Sequence, residues 1–132
     1  LRSQKNLTKE YQNERLLDGK FATDLFFKKL SLIIPNKLDR KSILFIIESD
    51  NAVTYGRNKK NDYFNFQRNY FITKALNMGY GIIDLEKPFE NHYSLHNKSL
   101  HFKNDGHWNE IGHEVVANEI KKFLGLKIKN KF

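Results

Sequence analysis

The stretch Asn104 to Ile120, "NDGHWNEIGHEVVANEI", places an aspartate, two histidines and the only tryptophan within nine residues, then runs into an amphipathic pattern of helical period. An imidazole can take up a proton near neutral pH once something fixes its tautomer and orientation. Asp105, two residues before His107, can do this by accepting the Nδ1 proton. Gly106 between them lets the backbone bend so that both side chains face one way. Read as chemistry, His107 is a general base and Asp105 the carboxylate that orients it. Read plainly, Asp105 or Asn109 caps the helix that follows and His107 is a surface passenger. Asn109 already stands in the capping position, which leaves Asp105 free for the first reading.

Among the remaining histidines a structural role is the better reading of His113, and metal binding fits less well. At 100° per residue, His113 falls on the side of Val116, Ala117, Ile120 and Phe123, so it is expected in the buried stripe as a hydrogen-bonded structural histidine. Trp108 is expected to pack, with its indole N–H finding an acceptor. His101, His107, His113 and Glu114 together contain enough donors for zinc, but not at the spacing of a zinc helix. His92 and His96 lie four apart in "NHYSLHN", which reads as a loop. A metal-dependent nuclease of the ββα type would carry its histidine on an open helix face, not on an apolar stripe. No metal and no cofactor is therefore expected.

The elements that must position these residues follow from periodicity. A first helix is expected over about Leu16 to Leu32, with Phe21, Leu25, Phe26 and Leu30 along one apolar side, stopped by Pro35. Ser42 to Ile47, "SILFII", is apolar on both faces and reads as a buried parallel strand. A polar loop, "ESDNAVTYGRNKKND", follows. A second helix covers about Tyr63 to Asn77, with Phe66, Tyr70, Phe71 and Leu76 on its buried side and the glycines of "NMGYG" at its end. Gly81 to Leu85 is the next strand. A long connection, "EKPFENHYSLHNKSLHFKNDGH", leads to a third helix from Asn109 to Leu124, closed by Gly125. The order α-β-α-β-α with apolar strands argues a layered α/β architecture. Two strands do not make a stable buried sheet alone, so further strands are expected, unrecognised in this chain or supplied from outside it.

At this point the chain resembles a known family. "DGHWNEIGHEVVANEI" is similar to the closing block of the SGNH hydrolases, also called the GDSL esterase/lipase superfamily. "ILFIIESDN" and "RNYFITKALNMGYGIIDLEKPFENHY" fit the strand, helix, strand and loop that precede that block. The resemblance spans roughly Ser42 to Leu124, and its specific part is the last block. It implies a flavodoxin-like α/β/α sandwich with a parallel sheet, present in part over residues 1–132 as the C-terminal part of one domain. It also implies hydrolysis of acyl esters of carbohydrates or lipids without a metal. By position, His107 corresponds to the base that activates a serine and Asp105 to its orienting partner. The spacing D-x-H followed by Trp, instead of the commoner D-x-x-H, is similar to branches that O-acetylate polysaccharides, so transfer to another hydroxyl stays open. The family's G-D-S block and oxyanion-hole Gly and Asn have no counterpart here, and none of Ser3, Ser31, Ser42, Ser49, Ser94 or Ser99 has a nucleophile's context. The nucleophile is expected in an N-terminal portion of the same protein, beyond these residues.

Composition limits the alternatives. At 132 residues and 39% hydrophobic content, with eleven Phe and six Tyr, the chain can bury a core. The absence of cysteine excludes a disulfide framework and thiolate metal ligation, and leaves the compartment open, an exported envelope location in a bacterium included. No apolar run is long enough for a membrane span, and the polar opening "LRSQKNLTKEYQNE" shows no signal peptide. The net charge of +8 is spread as surface lysines without aromatics between them, so nucleic acid is not the expected partner. A non-catalytic module gripping an anionic polymer through the loop Asn51 to Asn61, or an inactive relative serving envelope assembly, are the competing readings.

Overall fold

The computed structural model describes residues 9–56 and 62–125. Its elements run α1 (Lys9–Ile33), α2 (Lys37–Arg40), β1 (Leu44–Ile47), α3 (Asn51–Thr54), α4 (Asp62–Asn77), β2 (Gly81–Asp84), α5 (Glu86–His96) and α6 (Glu110–Phe123). The protein is mixed α/β, mostly helical, with a parallel sheet of two strands among the described residues. The register is set by Gly81 N donating to Ile43 O at 2.9 Å and Leu85 N donating to Ile47 O at 3.0 Å. The basic part of the expected binding loop (57–61) lies outside the described residues.

Two compact units divide the chain, one from Leu1–Ile43 with Asn61–Gly81, the other from Leu44–Lys60 with Ile82–Phe132. In the first, α1 packs on α4. Its centre is Phe27, fully buried, with the Phe71 ring 4.9 Å and the Tyr80 ring 5.5 Å away. The apolar side expected from periodicity was placed about one residue off: Phe21, Leu25 and Phe26 are exposed, while Phe27 and Ala75 are the residues sealed inside. Phe66 and Leu76 likewise face outward. Aromatic residues all round α1 leave the pattern without a single sharp face, and Phe27 is the ring that packs against Phe71 and Tyr80. Asp24 receives hydrogen bonds from Lys74 Nζ (2.8 Å) and Tyr70 Oη (2.9 Å) across the helix pair. These exposed contacts fix alignment more than they add stability. α1 ends at Ile33, as Pro35 requires, and Gly79, at φ 91°, makes the turn out of α4.

The second unit carries the histidines. Its core is Ile83, Leu85, Phe89, Leu100 and Val116, with Leu44, Trp108, Ile111, Val115 and Ile120 packed against it. Two expectations are corrected here. The segment after Asp84 is not a loop but the helix α5 over Glu86–His96. Pro88 falls in its first turn, where a missing N–H costs nothing, and Asp84 Oδ1 accepts from Glu86 N at 2.8 Å in place of a cap on Leu85. The polar loop after β1 also contains a helical turn, α3, capped by Asp50, whose side chain accepts from Ala52 N at 2.8 Å.

α6 begins as its sequence indicates, with Asn109 as N-cap accepting from Gly112 N at 3.0 Å, and Gly125 follows its end at φ 66°. Its buried face differs from expectation. Gly112 and Val116 are buried, with Ile111, Val115 and Ile120 beside them, whereas Ala117 and Phe123 are exposed. The helix is thus rotated by about one position, and His113 lies outside the buried stripe. Gly112 explains the rotation, because only a residue without Cβ can sit against the carbonyl of Leu100.

Candidate active site

Residues 99–109 fold back on themselves ahead of α6. Phe102 N donates to His107 O at 3.1 Å, Asn109 N donates to Leu100 O at 3.0 Å, and His101 bridges Trp108 in antiparallel fashion. Asn109 closes the base of this loop a second way, its Nδ2 donating to Ser99 O at 2.8 Å and to His101 O at 3.3 Å. One side chain therefore caps the helix and clasps the loop that the helix follows. Asp105 and His107 sit at the tip.

The structure brings that pair together. His107 N donates to Asp105 Oδ1 at 3.0 Å, an Asx-type turn across Gly106, and the same oxygen meets His107 Nδ1 in a short contact. With Nδ1 engaged by the carboxylate, Nε2 is the nitrogen left to accept a proton. Both groups are open to solvent, the His107 side chain 86% and the Asp105 side chain 53% exposed. Asp105 does not cap α6. The backbone amide of His107 first, and its imidazole second, hold the Asp105 carboxyl below the ordinary value of 3.8.

That shift has a sign. A depressed carboxyl favours the folded loop above its ordinary pKa, and the contribution disappears as the pH falls through the lowered value. Followed by carboxyl NMR, Asp105 is expected to titrate below 3.8, and in His107→Ala its midpoint should recover only part of the way, because the backbone amide remains. An Asp105 midpoint at the ordinary value in the parent protein would remove the contact.

Beneath the tip lies a second set of polar groups that the sequence does not announce. Glu48 directly follows β1, at the carboxyl end of the strand, where α/β sheets place ligand-facing residues. Its Oε1 accepts from Trp108 Nε1 at 3.1 Å and lies 3.4 Å from His101 Nε2. His101, only 5% exposed, places Nδ1 2.5 Å from the Tyr55 hydroxyl, which in turn accepts from Leu100 N at 3.1 Å. Trp108 finds its indole acceptor in Glu48 and packs edge-on to Phe89, with ring centres 5.9 Å apart. His101 is thus a buried structural histidine. His113 stands edge-on to Trp108 at 5.6 Å, at the surface.

Two open depressions flank the tip. One, of about 260 Å³, is lined by Glu48, Gly106, His107, Trp108 and His113. The other, of about 720 Å³, includes Tyr55, Tyr93, His101, Lys103 and Asp105 in its walls. Gly106 borders both, so the Asp–His pair forms the ridge between them. Three of the described serines have partners of their own for their hydroxyls. Ser49, buried, contacts the Thr54 hydroxyl. Ser31 donates to Phe27 O at 2.8 Å, and Ser99 donates to His101 O at 2.8 Å. Among the described residues, no group of three or more His, Cys, Asp and Glu is gathered to hold a metal ion, and no helix is long and apolar enough to cross a membrane.

No family model, curated protein or solved structure matches this chain.

Proposed function

We propose that Asp105 and His107 are the base half of a serine ester hydrolase of SGNH type, the nucleophile being contributed by polypeptide outside these 132 residues. The observation that carries this reading is the contact of Asp105 Oδ1 with His107 Nδ1 on a ridge between two depressions. A buried or diverging pair could not reach a substrate. On this reading the small sheet belongs to a flavodoxin-like sandwich whose other strands come with the nucleophile.

The chemistry follows from the orientation. Serine is a weak nucleophile until a base takes its proton. His107 Nε2 accepts that proton as Oγ attacks the ester carbonyl, and Asp105 steadies the imidazolium that forms. The proton then passes to the departing alkoxide, leaving an acyl-serine and a free alcohol. A water molecule, deprotonated by the same Nε2, releases the acid. If a sugar hydroxyl replaces water, the product is a transferred acyl ester by the same proton path. Solvent screens the Asp105 charge at its present exposure, so covering the ridge on substrate binding would strengthen its effect on His107.

A fluorophosphonate, which reacts only with an activated serine, tests the reading on the polypeptide as its gene encodes it. One serine outside residues 1–132 should be labelled, and labelling should be lost in His107→Ala. Absence of label, or label unaffected by that substitution, refutes it.

A further inference from the structure

His92 and His96 acquire a meaning once "EKPFENHYSLH" is known to be helical. Residues four apart on a helix are separated by about 40° around the axis, so their side chains lie one above the other on a single face. In α5 the two imidazole rings lie one turn apart, with centres 4.5 Å from each other and planes inclined by 45°. His92 is half-buried and His96 exposed, so one ring is held while the other can adjust.

Those distances match a shared metal ion. A nitrogen bound at about 2.0–2.1 Å puts each ring centre about 3 Å from the ion, so two imidazoles at a right angle have centres about 4.4 Å apart, and at a tetrahedral angle about 5 Å. The observed centre-to-centre spacing falls at the right-angle end of that range. Glu114 on α6 supplies negative charge beside His92, against the weaker effect of Lys98.

We propose that His92 and His96 form a two-imidazole chelate for a borderline divalent cation such as zinc, copper(II) or nickel, with water completing the coordination. Imidazole donors select these ions over magnesium and calcium, which require oxygen. With two protein donors the site is open and exchangeable. Binding would clamp the last turn of α5, just before Asn97 leaves the helix at φ 50°. The same helix carries Phe89 in the core and Tyr93 in the wall of the larger depression. The site is separate from the Asp105–His107 pair and does not depend on the ester reading.

Zinc chloride titrated into the full chain by calorimetry should show one site with Kd on the order of 10 µM, and His96→Ala should weaken it by about tenfold or more. His92→Ala should do the same, but its half-buried ring makes His96→Ala the decisive variant, with circular dichroism confirming an unchanged fold. His107→Ala and His113→Ala should bind zinc as the parent does. Zinc should also raise the melting temperature of the parent and not of His96→Ala. Equal zinc affinity in His96→Ala, or no saturable binding of zinc, copper or nickel up to about 1 mM, overturns the proposal.

Discussion

His107→Ala is expected to lower ester hydrolysis by the gene-encoded polypeptide by about 10⁴- to 10⁶-fold, the range seen when a serine loses its base. Its melting temperature should hardly change. The side chain is 86% exposed and its recorded polar contact is with Asp105 in its own loop, so removing it opens no cavity and strands no buried group. The backbone amide of residue 107 still donates to Asp105 Oδ1, so the turn survives the substitution. Loss of rate without loss of stability separates a catalytic role from a structural one. Turnover near the parent's in the folded variant would end the hydrolase proposal. His113→Ala is the comparison: it lines the same depression as His107 but is edge-on to Trp108 and outside the Asp105–His107 contact, so it should cost far less rate than His107→Ala.

Gly112→Ala should do the reverse, lowering stability first. In an exposed helix, replacing Gly by Ala gains about 1 kcal/mol from backbone entropy. Here a Cβ would lie 2.4 Å from the Leu100 carbonyl oxygen and 2.9 Å from Trp108 Cβ. The first neighbour is backbone, already accepting from Asn109 N, and cannot swing aside. α6 must move away from the base of the loop, disturbing Leu100 and Val116 in the core and the bridge between His101 and Trp108. An overpacking cost of about 2–3 kcal/mol outweighs the propensity gain, and the net loss of about 1–2 kcal/mol should shift thermal unfolding down by about 5 °C. Gly106→Ala, with open space around its Cβ position, should stay within about 0.5 kcal/mol of the parent. A Gly112→Ala protein as stable as the parent would show that the close approach of α6 to Leu100 is not present in solution.

Both residues sit in the block first singled out in the sequence, yet they were legible to different degrees. The Asp105–His107 contact spans two positions and a glycine, so chain geometry nearly enforces it. Asn109 as the cap and Gly125 beyond the helix end are equally local. The strands and α4 could be located to within a few residues from their apolar runs, but α1 begins at Lys9, well before the expected Leu16. β1 is not the buried strand its apolar faces suggested, since Ile46 is exposed and none of its residues is fully buried. α5 was hidden by composition: a proline, no capping residue at Leu85, and only Phe89 and Tyr93 to mark an inner face.

What the tertiary structure alone decided are the contacts between distant positions and the faces the helices turn inward. Glu48 meets Trp108 across 60 positions, and His101 meets Glu48 across 53 and Tyr55 across 46. No local pattern encodes such pairs, since each depends on how the strand end, the loop and α3 are packed. His113 was expected inside on the phase of Val116 and Ile120, but one missing methyl at Gly112 let the Leu100 carbonyl approach and turned the helix by about one residue. Periodicity specifies that an amphipathic helix buries a side. Which side it buries is fixed by the closest contact that its smallest residue permits.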